Sequence, residues 1–496
     1  MPLQSFTRLR AASKNERRYI MRHALGWYRS LVISGLYTLE KGTAFDATAV
    51  SSYLPALKWC IESHPILSAA IEGDSSETPM FIRPPELDLQ NHIKILEPGF
   101  SYYKFHDALD LLKQATLEAH DQPWSNVGTI PQWKILILPL PNPLNIMQKR
   151  IYVMFVYSHT HGDGKSGLAF HRSFLHGLQT AEHKYDQNMI CQPPISPLPP
   201  PLEDACNLRI SWSYLLSPLL QQHLPRFLCR WFGVQSQPPA HAYTGQPITY
   251  IPERFRTGSQ TLIIQKNLLD DVLIACRTQR GKLTGLLSQL VVRALSEALP
   301  RETRYKAYIG QIVIDLRSFL SDYSDNTMGN CVSAVYETSA CSGIESTYDQ
   351  SFWDAVRKTT SRLSDAANKL DDQPVGLLQY LSNFRPWFLE KIGKRRDSSY
   401  EISNLGIFDP SIYGSATATA TPSQEENDWK IEKIVFSQPA NVTASPLNFQ
   451  VVTVKDADMI ITLNWQVGVL GVTDEETFTK EVLNKVKGSM EEIASA

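Results

Sequence analysis

Three side chains able to do acid–base or metal chemistry alternate at the end of an apolar run. They are His159, His161 and Asp163, in the stretch Tyr157–Gly167, YSHTHGDGKSG. The preceding RIYVMFV is β-branched and aromatic and predicts a strand. Alternate residues of a strand share a face, so two imidazoles and a carboxylate could meet a zinc ion there. The metallohydrolase form of that pattern, H-x-H-x-D-H, needs a histidine where this chain has Gly164. The other histidines, such as His171, His176, His183, His223 and His241, stand in helical or proline-rich contexts, not in the short His-rich turns that further ligands would occupy. A second reading, H-x-x-x-D-G, uses only His159, Asp163 and Gly164. One imidazole with a pKa of ~6.5 can take a proton from a hydroxyl or amine at neutral pH. The carboxylate would fold back onto an arginine and hold the loop, and Gly164 would allow a sharp turn. On this reading activity is expected to fall below about pH 6. The motif alone fits a strand-end turn without chemistry just as well, because short patterns of common residues recur by chance.

Such a turn must be positioned by a large scaffold. The chain has 496 residues, which predicts about 2–3 domains. Hydrophobic residues make up 43% and charged residues 20%, a globular balance. A net charge of -2 excludes any global preference for nucleic acid, so an anionic ligand would need a local basic cluster. The seven cysteines include no C-x-x-C pair, which argues for reduced thiols and a cytoplasmic protein. The N-terminal stretch lacks the apolar core of a signal peptide. The most apolar region, 208–234, is broken by Arg209, Pro218, Pro225, Arg226 and Arg230 and falls short of the ~18–20 apolar residues of a spanning helix. It reads as a broken helix on the surface or between domains. The alternative is an interfacial helix with weak association to a membrane or lipid droplet.

Helix and strand signals alternate along the chain. Asn15–Trp27 predicts a helix capped by Ser13, Ser30–Leu39 a strand, Asp46–Glu62 and Phe105–Ala119 helices, and WKILILPL a strand beside the motif strand. Proline-rich QPPISPLPPPLE and a second loop, QSQPPAHAYTGQPITYIPERF, mark a crossover. The expected division is 1–190, an N-terminal domain with the motif; 191–255, the crossover; and 256–496, a C-terminal domain. Within the last, Thr284 is expected to cap a helix that ends at Pro300, and WKIEKIVFSQ, LNFQVVTV and DMIITLNWQ are expected strands.

Several segments in order give the motif context. SHPILSAAI at 63–71, HDQPWSNVGTIPQWKILILPL, VIDLRSFL, EISNLGIF and LNWQVGVL accompany it. Together they resemble the chloramphenicol acetyltransferase-like acyltransferases, and most closely the fungal alcohol acetyltransferases. The D-F-G-W-G segment of the plant branch is missing, and Ser158 stands where condensation domains carry a second histidine.

The resemblance implies an α/β fold of two domains, each a mixed sheet flanked by helices, with a tunnel between them. It implies an acyl-CoA-dependent O-acyltransferase, with acetyl-CoA as co-substrate, a small alcohol or secondary metabolite as acceptor, and no metal or permanent cofactor. His159 would be the base and Asp163 would pair with Arg317 of DLRSF. The N–H of Gly164 and the side chains of Ser403 or Asn404 would meet the oxyanion. Lys394, Arg395 and Arg396 would meet the phosphates of CoA. A monomer is expected. Transfer from a carrier-protein arm, amide formation or condensation, and a non-catalytic binding protein stay open as alternatives.

Overall fold

The computed structural model describes residues 5–40, 45–97, 108–140, 148–180, 187–216, 239, 241–299, 305–341, 348–411 and 428–495. Two mixed sheets dominate it. The first has five strands, in the order Trp429–Ser437, Leu31–Leu39, Lys149–Tyr157, Trp133–Leu140 and Ile93–Ile95. The second has six, in the order Thr257–Ile264, Met459–Gln466, Leu447–Val454, Tyr400–Phe408, Ala307–Asp315 and Val332–Ala340. Tyr400–Phe408 runs parallel to both of its neighbours, while the outer pairings of that sheet are antiparallel.

The strands of the first sheet read as near-continuous apolar runs because both faces are covered. Ile33, Tyr37, Val153 and Phe155 pack toward the helices Leu54–Ser63 and Gly164–Thr180. Val32, Leu36, Met154 and Val156 pack toward Ala108–Asp121 on the other side. The second sheet carries the helices Lys266–Thr278, Leu283–Ala298, Gln350–Ala367 and Glu475–Ser495 around a separate core. This is the two-sheet α/β arrangement expected above.

Three local expectations shift. The opening helix runs Lys14–Ala24, and Ser13 caps it in a reciprocal box with Glu16, as its sequence suggests. The helix expected from Asp46 begins only at Leu54, because the Asp46 carboxylate accepts from Thr48 N at 2.8 Å and closes a separate turn. Thr284 lies inside the helix Leu283–Ala298, where its hydroxyl accepts from Asn404 Nδ2 instead of capping. Trp429–Ser437, expected with the later strands, pairs antiparallel with Leu31–Leu39 and forms an edge of the first sheet. Residues 217–234 of the apolar stretch and 412–427, including most of the small-residue loop, lie outside the described residues. Among the described residues no helix is long and apolar enough to cross a membrane.

Candidate active site

The motif strand ends at Tyr157, and the helix Gly164–Thr180 starts seven residues later. The six residues between form the turn that carries His159. Tyr157 Oη donates to the carbonyl of Asp163 at 2.7 Å and pins its two ends. The conformational demand falls on Gly162, with φ +154°, where an added Cβ would lie 2.4 Å from Ser166 Oγ. Gly164 is needed for space, not for a sharp turn. It is the first residue of the helix, and a Cβ there would meet Leu405 at 2.6 Å and Phe436 at 3.1 Å.

His159 stacks on Tyr19 of the opening helix, with ring centres 3.8 Å apart, and stands 5.6 Å from the Tyr28 ring. Its Nδ1 lies 2.9 Å from Asn330 Oδ1, and Asn330 Nδ2 donates back to the His159 carbonyl at 2.9 Å. A carbonyl only accepts, so the amide nitrogen must face it and the amide oxygen must face the ring. The ring proton therefore sits on Nδ1. Nε2 is left as the basic nitrogen and has no hydrogen bond to a described residue. Sequence reasoning missed Asn330; its only signal is a polar GNC turn 13 residues after Arg317.

Burial, and then the nearby Arg22 charge, push the His159 imidazolium down to about 3. An acid limb set by this ring is therefore expected below the pH 6 of an ordinary imidazole. Burial likewise pushes His23, His64, His92, His120, His161 and His171 down to about 4. Each of these rings is neutral when folded and titrates at ~6.5 when unfolded, so the unfolded state binds more protons as pH falls. Their contribution is complete above pH ~6.5 and is lost on the way down to about 4, at up to about 1.4 kcal/mol per pH unit per ring. The unfolding temperature should therefore drop steadily from pH 7 to pH 5, while kcat of the folded enzyme stays level. Melting curves and initial rates across that range check both; a flat melting temperature would mean the rings are not held neutral.

Asp163 turns away from the imidazole. It accepts from Arg317 Nη2 on Oδ1 at 2.8 Å and from Nη1 on Oδ2 at 2.9 Å, and from Cys331 N at 3.0 Å. Burial alone would raise this carboxyl; the Arg317 guanidinium outweighs it and holds the group below the ordinary carboxylate range. Asp315 bridges Arg317 and Lys165 at 3.0 and 2.9 Å. His161 is fully buried, with Nδ1 2.8 Å from Thr160 Oγ1 and Nε2 2.9 Å from the Ala69 carbonyl. Both its nitrogens are engaged, so it does not share a ligand set with His159. No group of three metal-ligating side chains occurs among the described residues.

A cavity of about 550 Å³ lies between the sheets and is lined by His159, Gly164 and Ser403. That is the size of a pocket for a small organic molecule. Asn404 is not among its lining residues: its amide donates to Thr284 and its oxygen accepts from Gly406 N. The basic trio does not converge. Arg396 is buried, and its guanidinium donates to the carbonyls of Asn441, Val442 and Ala444, which removes it from any phosphate site. Arg395 donates to Thr244 Oγ1, Pro239 O and Ala242 O. Lys394 is exposed.

A family model described as alcohol acetyltransferase matches residues 103–485. A probable alcohol acetyltransferase of Fusarium pseudograminearum is 23% identical over 93% of this chain and 91% of its own length. Another from Aspergillus fumigatus is 25% identical over 90% of this chain and 93% of its own. In fold, the chain is similar to the TRI3 trichothecene 15-O-acetyltransferase of Fusarium sporotrichioides. The TM-score is 0.68 and the identity 14%, covering 98% of this chain and 95% of that one. The condensation enzyme VibH shares the fold at a TM-score of 0.54, with 12% identity and coverage of 96% and 95%.

Proposed function

The chain belongs to the alcohol acetyltransferase family, and within it we propose an acetyl-CoA-dependent O-acetyltransferase that acts on a hydroxyl of a small alcohol or secondary metabolite. The observation that carries this reading is the imidazole of His159. Its proton is held on Nδ1 by Asn330, and its ring lines a cavity large enough for the acceptor.

In this mechanism Nε2 takes the hydroxyl proton as the oxygen attacks the thioester carbonyl. The carbonyl oxygen becomes an oxyanion. The N–H of Gly164 has no acceptor within its own helix, because first-turn N–H groups have none, and it stands at the positive end of a 17-residue helix. Together with the hydroxyl of Ser403 it supplies the donors for that charge. The intermediate then expels the CoA thiolate, which receives the proton from the imidazolium. The products are an ester and free CoA, and no acyl-enzyme is needed. Asp163 and Arg317 hold the turn and take no part in proton transfer.

Free acetyl-CoA and a panel of hydroxylated metabolites, with thiol release and product mass as readouts, test the reading. Saturable thiol release that requires an acceptor supports it. Turnover only with an acyl group on a carrier-protein arm would replace the donor, and binding without turnover would remove the activity. Asn330 gives a finer prediction. Asn330→Ala frees the ring to take either tautomer and should lower kcat by about tenfold or more, a part of what the base contributes. Asn330→Asp keeps an acceptor on Nδ1 and adds a negative charge, which should raise the acid limb of the pH–rate profile. Rates from pH 5 to pH 8 compare the two variants.

A further inference from the structure

The cavity beside His159 is not evenly polar. Part of its lining is apolar, with Val313, Val375 and Leu378, and the opening helix brings Arg18 and Arg22 to it. The Arg22 guanidinium lies 5.1 Å from the Tyr19 ring centre and 4.7 Å from that of Tyr28, the same two rings that flank His159. The Nε atoms of Arg18 and Arg22 are buried without a partner. Arg18 spends Nη2 on Asn15 and on Tyr19 Oη. Arg22 has no hydrogen bond or ion pair to a described residue.

Two acidic groups line the same cavity: Asp163 is held by Arg317, and Glu401 does not neutralise Arg22 by contact. Its Oε2 accepts from Gln311 Nε2 at 3.0 Å, and it acts on Arg22 only from a distance. A half-buried cation with no counter-ion in contact is costly unless a ligand completes it. The planar fork of arginine fits a carboxylate with two parallel hydrogen bonds. The donor does not supply that anion near the base: the pantetheine arm next to the thioester is uncharged, and its phosphates lie far from the sulfur.

Resting on the acyl-transfer reading, we propose that the acceptor is an amphipathic hydroxy acid, with its carboxylate on Arg22, its chain along the apolar lining and its hydroxyl at His159. Because Arg22 and His159 share two aromatic neighbours, the carboxylate and the acylated hydroxyl lie only a few bonds apart. Arg22 acts as a specificity residue for the acceptor.

The test compares 3-hydroxydecanoate with its methyl ester by calorimetric titration of the full chain. The acid should bind about tenfold tighter or more, the scale of one charge-assisted pair. Arg22→Gln should bring the ratio close to one, and Arg22→Lys, which keeps the charge, should retain part of it. Equal binding of the two, or binding of neither, overturns the proposal whichever variant folds. An unchanged ratio in Arg22→Gln also overturns it, and so does an equal loss of both ligands, which would mark a packing role. Thiol release from acetyl-CoA is read separately. Tight binding of the acid with no release from any alcohol sinks the acetyl-transfer reading and leaves the anion site standing. Acetylation of simple alcohols without binding of the acid does the reverse.

Discussion

His159→Ala should lower kcat by about 10²–10⁴-fold, the range that a positioned general base contributes, and leave the fold in place. The ring is partly exposed to the cavity and packs on Tyr19 by stacking, so its removal extends a space that is already open. The main structural cost is Asn330 Oδ1, which loses the imidazole N–H. An unsatisfied acceptor of that kind costs about 1–3 kcal/mol, less where cavity water reaches it. Turnover should therefore collapse while the melting temperature moves little. On the proposed mechanism the residual rate comes from binding and from the oxyanion donors, which the variant keeps.

The contrast that gives this result meaning is His161→Ala. That ring is fully buried between Thr160 and the Ala69 carbonyl. Its removal should lower stability clearly, while the folded fraction keeps its kcat. Thiol release at saturating acetyl-CoA, normalised to folded protein by circular dichroism, separates the two variants. Near wild-type turnover in His159→Ala would remove it as the base, and a dead but well-folded His161→Ala would move that role to the neighbouring ring.

The parts of the site that sequence could display are those set by local patterning. Ser13 with Glu16 announces a helix start, and RIYVMFV announces a buried strand whose end must be a turn. His159, Asp163 and Arg317 could be related because ordered segments of a recognisable family surround them. What could not be read depends on distant chain segments meeting. Asn330 orients the ring from 171 residues away, and nothing in GNC distinguishes it from an ordinary loop asparagine. Arg22 reads as the solvated end of a basic helix until the fold sets it over the Tyr19 and Tyr28 rings at the cavity. Lys394–Arg396 reads as an exposed cluster, yet Arg396 turns inward because the 441–444 turn offers three carbonyls that need donors. The edge strand Trp429–Ser437 has the same β-branched pattern as its neighbours in sequence, and only the register against Leu31–Leu39 assigns it to the other sheet.

Arg317→Ala should be the most destabilising single change at the site, by about 3–5 kcal/mol, because it strips the counter-charge from a buried carboxylate. Arg317 and Asp163 have side-chain exposures of only 4% and 2%, and both oxygens of the acid are engaged by the guanidinium. Without it, Asp163 keeps Ser166 and the Cys331 N–H as donors but loses the charge that offsets its desolvation. Its carboxyl should then rise and take up a proton. The sign follows from that shift. In the wild type the depressed carboxyl contributes stability above its unfolded pKa of ~3.9, and this is lost only as pH falls through the lower folded value. In Arg317→Ala the raised carboxyl reverses the dependence, so the variant should gain relative to wild type as pH falls toward 5. Activity should drop with stability, since the same carboxylate anchors the turn beneath His159. Asp163→Asn in the Arg317→Ala background removes the stranded charge and should recover part of the loss, and that recovery is what makes the effect electrostatic. The surface pair offers the control: Lys165→Ala breaks a contact with Asp315 at the rim and should cost no more than about 1 kcal/mol. Denaturant melts of the wild type and the three variants at pH 7.5 and pH 5.5 measure all of this. Equal losses in Lys165→Ala and Arg317→Ala, or no recovery in the double variant, would show that burial of the Asp163–Arg317 pair is not what holds the turn.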